Sequence, residues 1–514
     1  MTKYLFLIII ILFTTGSSIS ESPGDKNIDI SKVPTKSGFI KGKVTDNGDV
    51  YIFMGVPFAA PPVGQLRWKP PQPVEKWEGV RECITPPPSA YQNKPTPLMM
   101  WSKEFMAPEE PLSEDCLYLN IWTPAKNTNE KLPVMVWIHG GAFTGGSGTV
   151  PLYDGTEMAR KGVVFITINY RLGIFGFLAH PWLSDESPEK VSGNYGILDQ
   201  IEALRWVKSN ISSFGGNPDN VTIAGQSAGA FSVNALMVSP LARGLFQQAI
   251  AESGGMFGKA QMLTATLDNA MASGSKTVES LKVTSLDELR TLPSDVLLKA
   301  TGRWGPAIDN YILLPVDETF STDRQNDVPL ITGWNADDGV SMGRSASAEV
   351  YKGNIEKRYG DKAPLILGLF PASNDEEANK SQKLLTQLQF GWQNYFWAMM
   401  QSTYGKNRAY LYYFTRVPPG EPNYGAFHSA EFGYALHTLH LWDRPFDKID
   451  YNLENIMSSY WVNFAATGDP NGKDLPEWPA FNKSSQDIIE LGDAVRSVPL
   501  PHRKQLELIT TLNE

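Results

Sequence analysis

Continuous apolar runs, rather than alternating ones, mark the first half of this chain. Residues 133–138, 162–169 and 221–224 are three such runs, and all are rich in β-branched side chains. Runs of this kind are typical of strands that lie in a parallel sheet and are covered by helices on both faces. Residues 329–333 and 409–415 have the same character. The pattern predicts a large, mostly parallel sheet at the centre of the fold.

Between these runs the apolar residues follow the helical period. In residues 198–208, Ile201, Leu204, Trp206 and Val207 are spaced to form one apolar face. Strands that alternate with helices of this kind predict an α/β fold with right-handed crossovers, in which helices flank the sheet.

The remaining segments have a different composition. Residues 38–53 predict antiparallel strands, and the proline-dense residues 57–97 predict ordered surface loops rather than a separate domain. Residues 258–301 and 346–389 are richer in helix formers and charge, which indicates helical insertions that cap the sheet. We therefore expect one domain over residues 38–514.

The N-terminus has the pattern of an export signal. Lys3 precedes an apolar stretch over residues 4–13, and small or polar residues follow to residue 20. The stretch is too short to span a bilayer, so residues 1–20 predict a cleaved signal peptide, with an uncleaved anchor as the alternative. Residues 21–37 predict a flexible leader. A secreted or periplasmic protein without a stable membrane span is expected.

The net charge disfavours two classes of binding partner, and the cysteine content bears on a disulfide. The formal net charge of −10 disfavours attachment to nucleic acid or to an anionic membrane surface. The chain has two cysteines, Cys83 and Cys116. In an oxidising compartment such a pair predicts one disulfide, and two unrelated thiols are the alternative.

The candidate nucleophile lies in Gly225-Gln-Ser-Ala-Gly229, between a strand-like run and a helix-like run. A sharp turn from strand to helix forces its central residue into a strained conformation, and the two glycines remove side chains that would collide with neighbouring backbone. The pattern predicts that Ser227 is exposed at the tip of the turn as a nucleophile. A glycine-rich structural turn is the alternative.

A serine nucleophile needs a base and an acid within hydrogen-bond reach. Of the six histidines, His428 follows a strand and a loop of turn formers, whereas His437 and His440 have the surroundings of packed or surface residues. Asp337 and Asp338 both follow the strand predicted at residues 329–333, and either could supply the acid. The chain order Ser, Asp, His is the order expected of an α/β-hydrolase.

Attack on an ester carbonyl also requires backbone N–H donors for the developing oxyanion. Residues 139–146 form a glycine-rich segment directly after a predicted strand, and the N–H group of Ala228 would add a further donor. A phosphate-binding loop is the competing interpretation, but no Lys-Ser or Lys-Thr follows these glycines. No metal or organic cofactor is implied.

Several motifs in order along the chain resemble those of the type-B carboxylesterase family, the cholinesterase-like α/β-hydrolases that include many bacterial carboxylesterases. They include Ser113-Glu-Asp-Cys-Leu-Tyr-Leu-Asn-Ile121, Trp137-Ile-His-Gly-Gly-Ala-Phe143, Phe214-Gly-Gly-Asn-Pro218 and Ala426-Phe-His-Ser-Ala-Glu431. Other matching segments are residues 53–59, 66–68, 169–177, 193–200, 225–229 and 252–254. The resemblance implies an α/β-hydrolase fold with N-terminal antiparallel strands and helical insertions.

The resemblance also implies roles for individual residues. The nucleophile falls on Ser227, the base on His428, and the oxyanion donors on Gly141, Ala142 and Ala228. The family acid is usually a Glu directly before a Gly, which here is Asp338 before Gly339. Because Asp is one methylene shorter, its loop is expected to approach the histidine more closely. In the family, the first cysteine of the disulfide usually lies a few residues nearer the position of Gln92. In this chain the candidate for that cysteine is Cys83.

The sequence as a whole predicts an exported serine esterase that cleaves small-molecule carboxylic esters through an acyl-enzyme on a Ser-His-Asp triad. A catalytically silent, cholinesterase-like binding protein is one alternative. An acyltransferase that uses the same triad is another.

Overall fold

A computed structural model describes residues 27–258, 264–339 and 347–513. Its strands in chain order are β1 Val33–Pro34, β2 Phe39–Lys41, β3 Lys43–Val44, β4 Tyr51–Pro57, β5 Val80–Glu82, β6 Ser89–Ala90, β7 Leu112–Ser113, β8 Tyr118–Thr123, β9 Leu132–Ile138, β10 Val164–Ile168, β11 Gly216–Gln226, β12 Gln248–Glu252, β13 Ala265–Thr266, β14 Ala307–Ile308, β15 Leu330–Asn335, β16 Ala409–Phe414, β17 Asp487–Leu491 and β18 Val495–Pro499.

The α-helices of the same residues are α1 Thr156–Arg160, α2 Gly173–Phe177, α3 Pro181–Glu186, α4 Tyr195–Asn210, α5 Ala228–Val238, α6 Leu267–Ser280, α7 Leu286–Thr291, α8 Ser294–Leu298, α9 Val316–Ser321, α10 Ala348–Tyr359, α11 Ala363–Leu369, α12 Asp375–Tyr404, α13 Phe432–Ala435, α14 Lys448–Thr467 and α15 Arg503–Asn513. Helices α6 to α8 and α10 to α12 occupy most of the two predicted helical insertions.

One large sheet organises the molecule. It has 11 strands in the order β18-β17-β16-β15-β12-β11-β9-β10-β8-β4-β3. Strands β17 to β10 in that order are mutually parallel, and antiparallel strands extend both edges. The predicted mostly parallel sheet with N-terminal antiparallel strands is confirmed.

Strand β9 shows why the apolar runs are continuous. Val134, Val136 and Ile138 belong to the core cluster that includes residues of α4, α5 and α12. Met135 and Trp137 point to the opposite face and belong to the cluster that includes residues of α14. Because both faces are covered, every one of these five side chains is buried, and alternation with polar residues is lost.

The N-terminal segment differs from the expectation of a flexible leader over its described part, residues 27–37. Ile28 and Val33 are buried in the main core, and β1 pairs with β2. The predicted signal peptide, residues 1–20, lies outside the described residues. Within the ranges described, none of the helices combines the length and apolarity needed to cross a bilayer.

The predicted disulfide between Cys83 and Cys116 is wrong for this structure, because both cysteines are buried free thiols. Their surroundings differ. The Cys83 thiol contacts the Gly55 carbonyl oxygen at 3.9 Å, whereas Cys116 lines a cavity of about 10 Å³ together with Tyr91 and Arg171. Burial raises the pKa of Cys83 to about 12 and raises that of Cys116 well above its ordinary value, so both thiols remain protonated.

Candidate active site

The predicted turn lies at the carboxyl end of the central strand β11. Strand β11 ends at Gln226 and α5 begins at Ala228, so Ser227 alone connects them, with φ 57° and ψ −123°. This backbone conformation is strained for a residue with a side chain. The residues on either side are buried, whereas Ser227 is half-buried at the tip of the turn.

The glycines of the turn are required by close backbone contacts. A Cβ atom on Gly229 would lie 2.0 Å from the Ile138 carbonyl oxygen, and one on Gly225 would lie 2.7 Å from the same oxygen. Neither distance is compatible with a side chain. Strand β9 can therefore pack this closely against the turn and helix α5 only because both positions are glycine.

We expect Gly229→Ala to destabilise the fold by on the order of 3 kcal/mol or more, because the Ile138 carbonyl cannot move without disturbing the central sheet. Gly353→Ala is the matched control. Gly353 lies inside α10, and a Cβ atom there would meet nothing within 4 Å. This control should stabilise the protein by about 0.5–1 kcal/mol. Urea unfolding measures the change in the free energy of unfolding for each variant. Equal changes in the two variants would contradict the turn geometry.

The structure brings His428 and Asp338 together from distant parts of the chain. His428 Nδ1 lies 2.7 Å from Asp338 Oδ1, and the two residues are 7% and 1% exposed. Because a carboxylate can only accept, Nδ1 carries the proton and donates it. The second oxygen of Asp338 accepts hydrogen bonds from the Ser253 hydroxyl and the Asn335 N–H group, both at 2.8 Å. These bonds hold the carboxylate in one orientation.

The neighbouring Asp337 has a different environment. It forms an ion pair with Lys383, a largely exposed residue of α12, and it accepts a hydrogen bond from the Ala426 N–H group at 2.8 Å. Asp337 therefore links the loop after β15 to the loop that precedes His428. Of the two adjacent carboxylates, Asp338 is the one that contacts the histidine.

The second ring nitrogen of His428 is directed toward the turn that carries Ser227. His428 Nε2 lies 3.3 Å from Gln226 Nε2, and the Phe390 ring packs on the imidazole at 4.7 Å between ring centroids. The Ser227 hydroxyl forms no hydrogen bond with any residue that the structure describes. Catalytic hydrogen bonds are often long or unformed before a substrate binds.

The predicted oxyanion segment lies against this turn. A Cβ atom on Gly140 would come within 3.2 Å of the Ser227 Cβ atom. Gly141 and Ala142 are exposed, with φ 106° and 54°, and among the described residues their N–H groups have no acceptor. Ala228 is the first residue of α5, where helix N–H groups lack partners within the helix. The three predicted donors are thus available to a ligand.

Gln92 supports this segment and was missed by the sequence analysis. Its side chain donates a hydrogen bond to the Gly146 carbonyl and accepts one from the Gly146 N–H group, both at 2.8 Å. Gln92 is 3% exposed. The two residues are 54 positions apart, and no local pattern connects a glutamine in a proline-rich loop to a glycine-rich loop.

Other histidines have structural contacts. His139 stacks on Tyr170 at 4.4 Å, and burial lowers its pKa to about 4. His180 accepts a hydrogen bond from the Trp182 N–H group at the start of α3, and His437 contacts the Ser458 hydroxyl at 3.0 Å. In the part of the chain that the structure describes, no three His, Cys, Asp or Glu side chains are grouped to hold a metal ion.

Two further carboxyl groups, Glu252 and Glu431, lie behind Asp338 and are fully buried. Glu431 accepts a hydrogen bond from the Asn335 amide, and Glu252 accepts one from the Trp461 indole at 2.8 Å. Burial, together with the charge of Asp338, raises the pKa of Glu431 to about 7. Burial and the charge of Glu431 raise the pKa of Glu252 well above its ordinary value. The pair therefore retains protons that exposed carboxyl groups would lose.

This pair predicts a pH-dependent stability. A carboxyl group whose pKa is higher in the folded state binds its proton more tightly there, so the free energy of unfolding falls as the pH rises from about 4.5 to 7. We expect Glu431 to contribute on the order of 3 kcal/mol to this fall, and Glu252 to add to it. Glu252→Gln mimics the protonated state and should reduce the fall between pH 5 and pH 8.

Urea unfolding at the two pH values measures this difference. Glu349→Gln, which removes an exposed carboxylate on α10, is the control and should keep the wild-type pH dependence. An unchanged pH dependence in Glu252→Gln would show that Glu252 does not retain its proton in the folded protein.

Comparison with known proteins identifies the chain. A family model described as the carboxylesterase family matches residues 29–507. This chain belongs to the carboxylesterase family. The resemblance found in the motifs is thus confirmed across most of the chain, and the protein is a carboxylic ester hydrolase.

Similar proteins agree with this assignment. Fumonisin B1 esterase from Sphingopyxis macrogoltabida is 36% identical over 483 residues, which cover 90% of this chain and 86% of that protein. Para-nitrobenzyl esterase from Bacillus subtilis (strain 168) is 35% identical, with 90% and 95% covered. A solved para-nitrobenzyl esterase structure superposes with a TM-score of 0.81 at 32% identity and covers 93% of this chain and 98% of its own. The predicted α/β-hydrolase fold is confirmed.

Proposed function

We propose that this carboxylesterase hydrolyses its esters through an acyl-enzyme on Ser227, with His428 as the general base and Asp338 as the acid that orients it. The 2.7 Å contact between His428 Nδ1 and Asp338 Oδ1 carries the proposal. It keeps the ring proton on Nδ1 and leaves Nε2, on the side of the turn, without a proton and able to take one up.

In the first half of the reaction, Ser227 Oγ attacks the ester carbonyl while its proton moves to His428 Nε2. The imidazolium that forms is stabilised by the buried carboxylate of Asp338. Collapse of the tetrahedral intermediate breaks the bond to the alcohol oxygen, which receives the proton from Nε2. In the second half, water loses its proton to Nε2 and attacks the acyl-enzyme carbonyl. The bond to Ser227 Oγ then breaks, Oγ takes the proton back from Nε2, and the acid is released.

Negative charge develops on the carbonyl oxygen in both halves. The N–H groups of Gly141, Ala142 and Ala228 are proposed to donate to it. Gln92 holds the end of the segment that supplies two of them, through its paired bonds with Gly146. A preorganised donor is worth about 3–4 kcal/mol of transition-state stabilisation, since it needs no rearrangement during the reaction.

We also propose that the substrates are small-molecule esters and that the enzyme is exported. The two relatives are named for different esters, a fumonisin and a para-nitrobenzyl ester. Export rests on the signal-like residues 1–20. N-terminal sequencing of the protein recovered from outside the cytoplasm would test it, since a protein that retains residue 1 would contradict a cleaved signal peptide.

A fluorophosphonate probe tests the mechanism. It should label the folded protein once, on the peptide that contains Ser227, and a panel of p-nitrophenyl esters of increasing chain length should be hydrolysed. Added alcohol separates hydrolysis from acyl transfer, because an acyltransferase would yield mainly the new ester. A folded protein that neither reacts with the probe nor turns over esters would instead be a silent binding protein.

A further inference from the structure

A line of hydrogen bonds leads from the half-exposed Trp101 to the imidazole of His428. The Trp101 indole nitrogen lies 3.3 Å from the Ser429 hydroxyl oxygen, which lies 3.2 Å from Gln226 Oε1. Gln226 Nε2 in turn lies 3.3 Å from His428 Nε2. Gln226 and Ser429 are 2% and 5% exposed, so water has little access to either.

Each bond in this line has a defined donor and acceptor. An indole N–H can only donate, so the Ser429 oxygen accepts from Trp101. The Ser429 hydroxyl donates its own proton to the Gln226 amide oxygen, since an amide NH₂ group cannot accept one. This bond fixes which end of the Gln226 amide is which, so the NH₂ group faces His428. His428 Nε2 must accept, and it does so only when it carries no proton.

The backbone at Ser429 supports this arrangement. Ser429 adopts φ 83°, which is unusual for a residue with a side chain. The residue directly follows His428, and its hydroxyl lies between Trp101 and Gln226. A strained residue persists only where its surroundings hold it in place.

The contacts on the two ring nitrogens are thus consistent with the same tautomer. Asp338 requires the proton on Nδ1, and Gln226 requires Nε2 to be unprotonated. We propose that Trp101, Ser429 and Gln226 are positioning residues that hold His428 neutral, with its proton on Nδ1, and so extend esterase activity to lower pH. This proposal rests on the proposed function of Ser227 and His428.

Charged groups around the imidazole also affect whether His428 is protonated. The titratable groups that face His428 are Asp338, from the loop after β15, and Glu431, directly before α13. Helix α12 contributes the apolar ring of Phe390, and the turn after β11 contributes the neutral Gln226. A protonated Nε2 would place an N–H group against the Gln226 NH₂ group. The amide therefore opposes the imidazolium that the Asp338 carboxylate favours.

The same contact affects proton delivery. After Ser227 attacks, Nε2 holds the proton and faces the Gln226 donor, which cannot accept it. The leaving alcohol oxygen is then the acceptor that relieves the unfavourable contact. Gln226 thus favours loss of the proton from Nε2, and it forms no covalent bond itself.

Gln226→Glu is the decisive variant, because it keeps the shape of the side chain and replaces the donor with a carboxylate oxygen. We expect the acidic limb of the kcat/KM profile to move to higher pH by about one unit, which is a roughly tenfold loss on that limb with little change on the plateau. Gln226→Met removes the donor without adding charge and should move the limb by about half as much. Ser429→Ala frees the amide to rotate and should move it in the same direction.

Gln505→Glu on α15 adds the same charge away from the line and is the control; its profile should match the wild type. A loss of kcat that is equal at all pH values, in either Gln226 variant, would indicate a merely structural role and would overturn the proposal. So would a profile that superposes on the wild type.

Nitrogen-15 NMR of the histidine ring gives a readout that does not need activity. In a Ser227→Ala background, His428 should carry its proton on Nδ1 near neutral pH, and Gln226→Glu should raise the pH at which the ring becomes doubly protonated. A wild-type protein without esterase activity would overturn the proposed function. The titration of the His428 ring would then remain as the test of the role of Trp101, Ser429 and Gln226. An unchanged titration of the His428 ring in an active enzyme would overturn only the proposed role of Trp101, Ser429 and Gln226.

Discussion

Ser227→Ala is expected to lower kcat for a p-nitrophenyl ester by a factor on the order of 10⁴ to 10⁶, because no other hydroxyl occupies the tip of the turn. The KM should change little, since the backbone that surrounds the ester is retained. The fold should also be retained. The backbone bond from the residue 227 N–H group to the Glu252 carbonyl, 2.9 Å long, does not depend on the side chain.

Steady-state kinetics and fluorophosphonate labelling measure this loss together. Ser212→Ala is the control, because Ser212 is exposed in the turn that follows α4 and precedes β11, whereas Ser227 follows the carboxyl end of that strand. It should keep both activity and labelling. Substantial turnover by a folded Ser227→Ala protein would assign the nucleophile to another residue.

Asp338→Asn should lower kcat by about 10³- to 10⁴-fold. The Ser253 hydroxyl and the Asn335 N–H group both donate to one oxygen of residue 338 and would select the carbonyl oxygen of an asparagine. Its NH₂ group would then face His428 Nδ1. The ring would be forced to carry its proton on Nε2, where it cannot accept the proton of Ser227.

Asp337→Asn is a control that the chain itself provides. It removes one charge one residue away and breaks the ion pair with Lys383, whose side chain is 56% exposed. Stability should fall by less than about 1 kcal/mol, and kcat should stay within about threefold of the wild type. Equal losses in the two variants would contradict the assignment of Asp338 as the orienting acid.

Hydrogen-bond partners, rather than sequence position, separate these two aspartates. Both follow β15 and both precede a glycine-containing loop, so local pattern left either as the acid. Position 338 was favoured only by resemblance to the family. The structure brings the Asp338 carboxylate to within 2.7 Å of the histidine and turns Asp337 toward α12 and the Ala426 N–H group.

The two cysteines illustrate the opposite outcome. Their number and the export-like N-terminus favoured a disulfide, yet pairing depends on the distance and direction of two side chains. Cys83 lies against Gly55, and Cys116 lies beside Tyr91 and Arg171. Composition carries no information about such surroundings.

What the sequence alone determined is set by contacts between residues close along the chain. Burial on both faces produces the continuous apolar runs that predicted β9, β10, β11, β15 and β16. The strained turn between β11 and α5 requires glycine on either side of Ser227, and that spacing is visible in five residues.

Only the tertiary structure decided what depends on distant segments. It brought Asp338 to His428, Gln92 to Gly146, and Glu252 near Glu431. It also placed Trp101, Ser429 and Gln226 in one line of hydrogen bonds. The physical reason is common to all of these. A hydrogen bond or a raised pKa depends on distance and burial, which residues remote in the chain acquire only when the sheet and its loops have assembled.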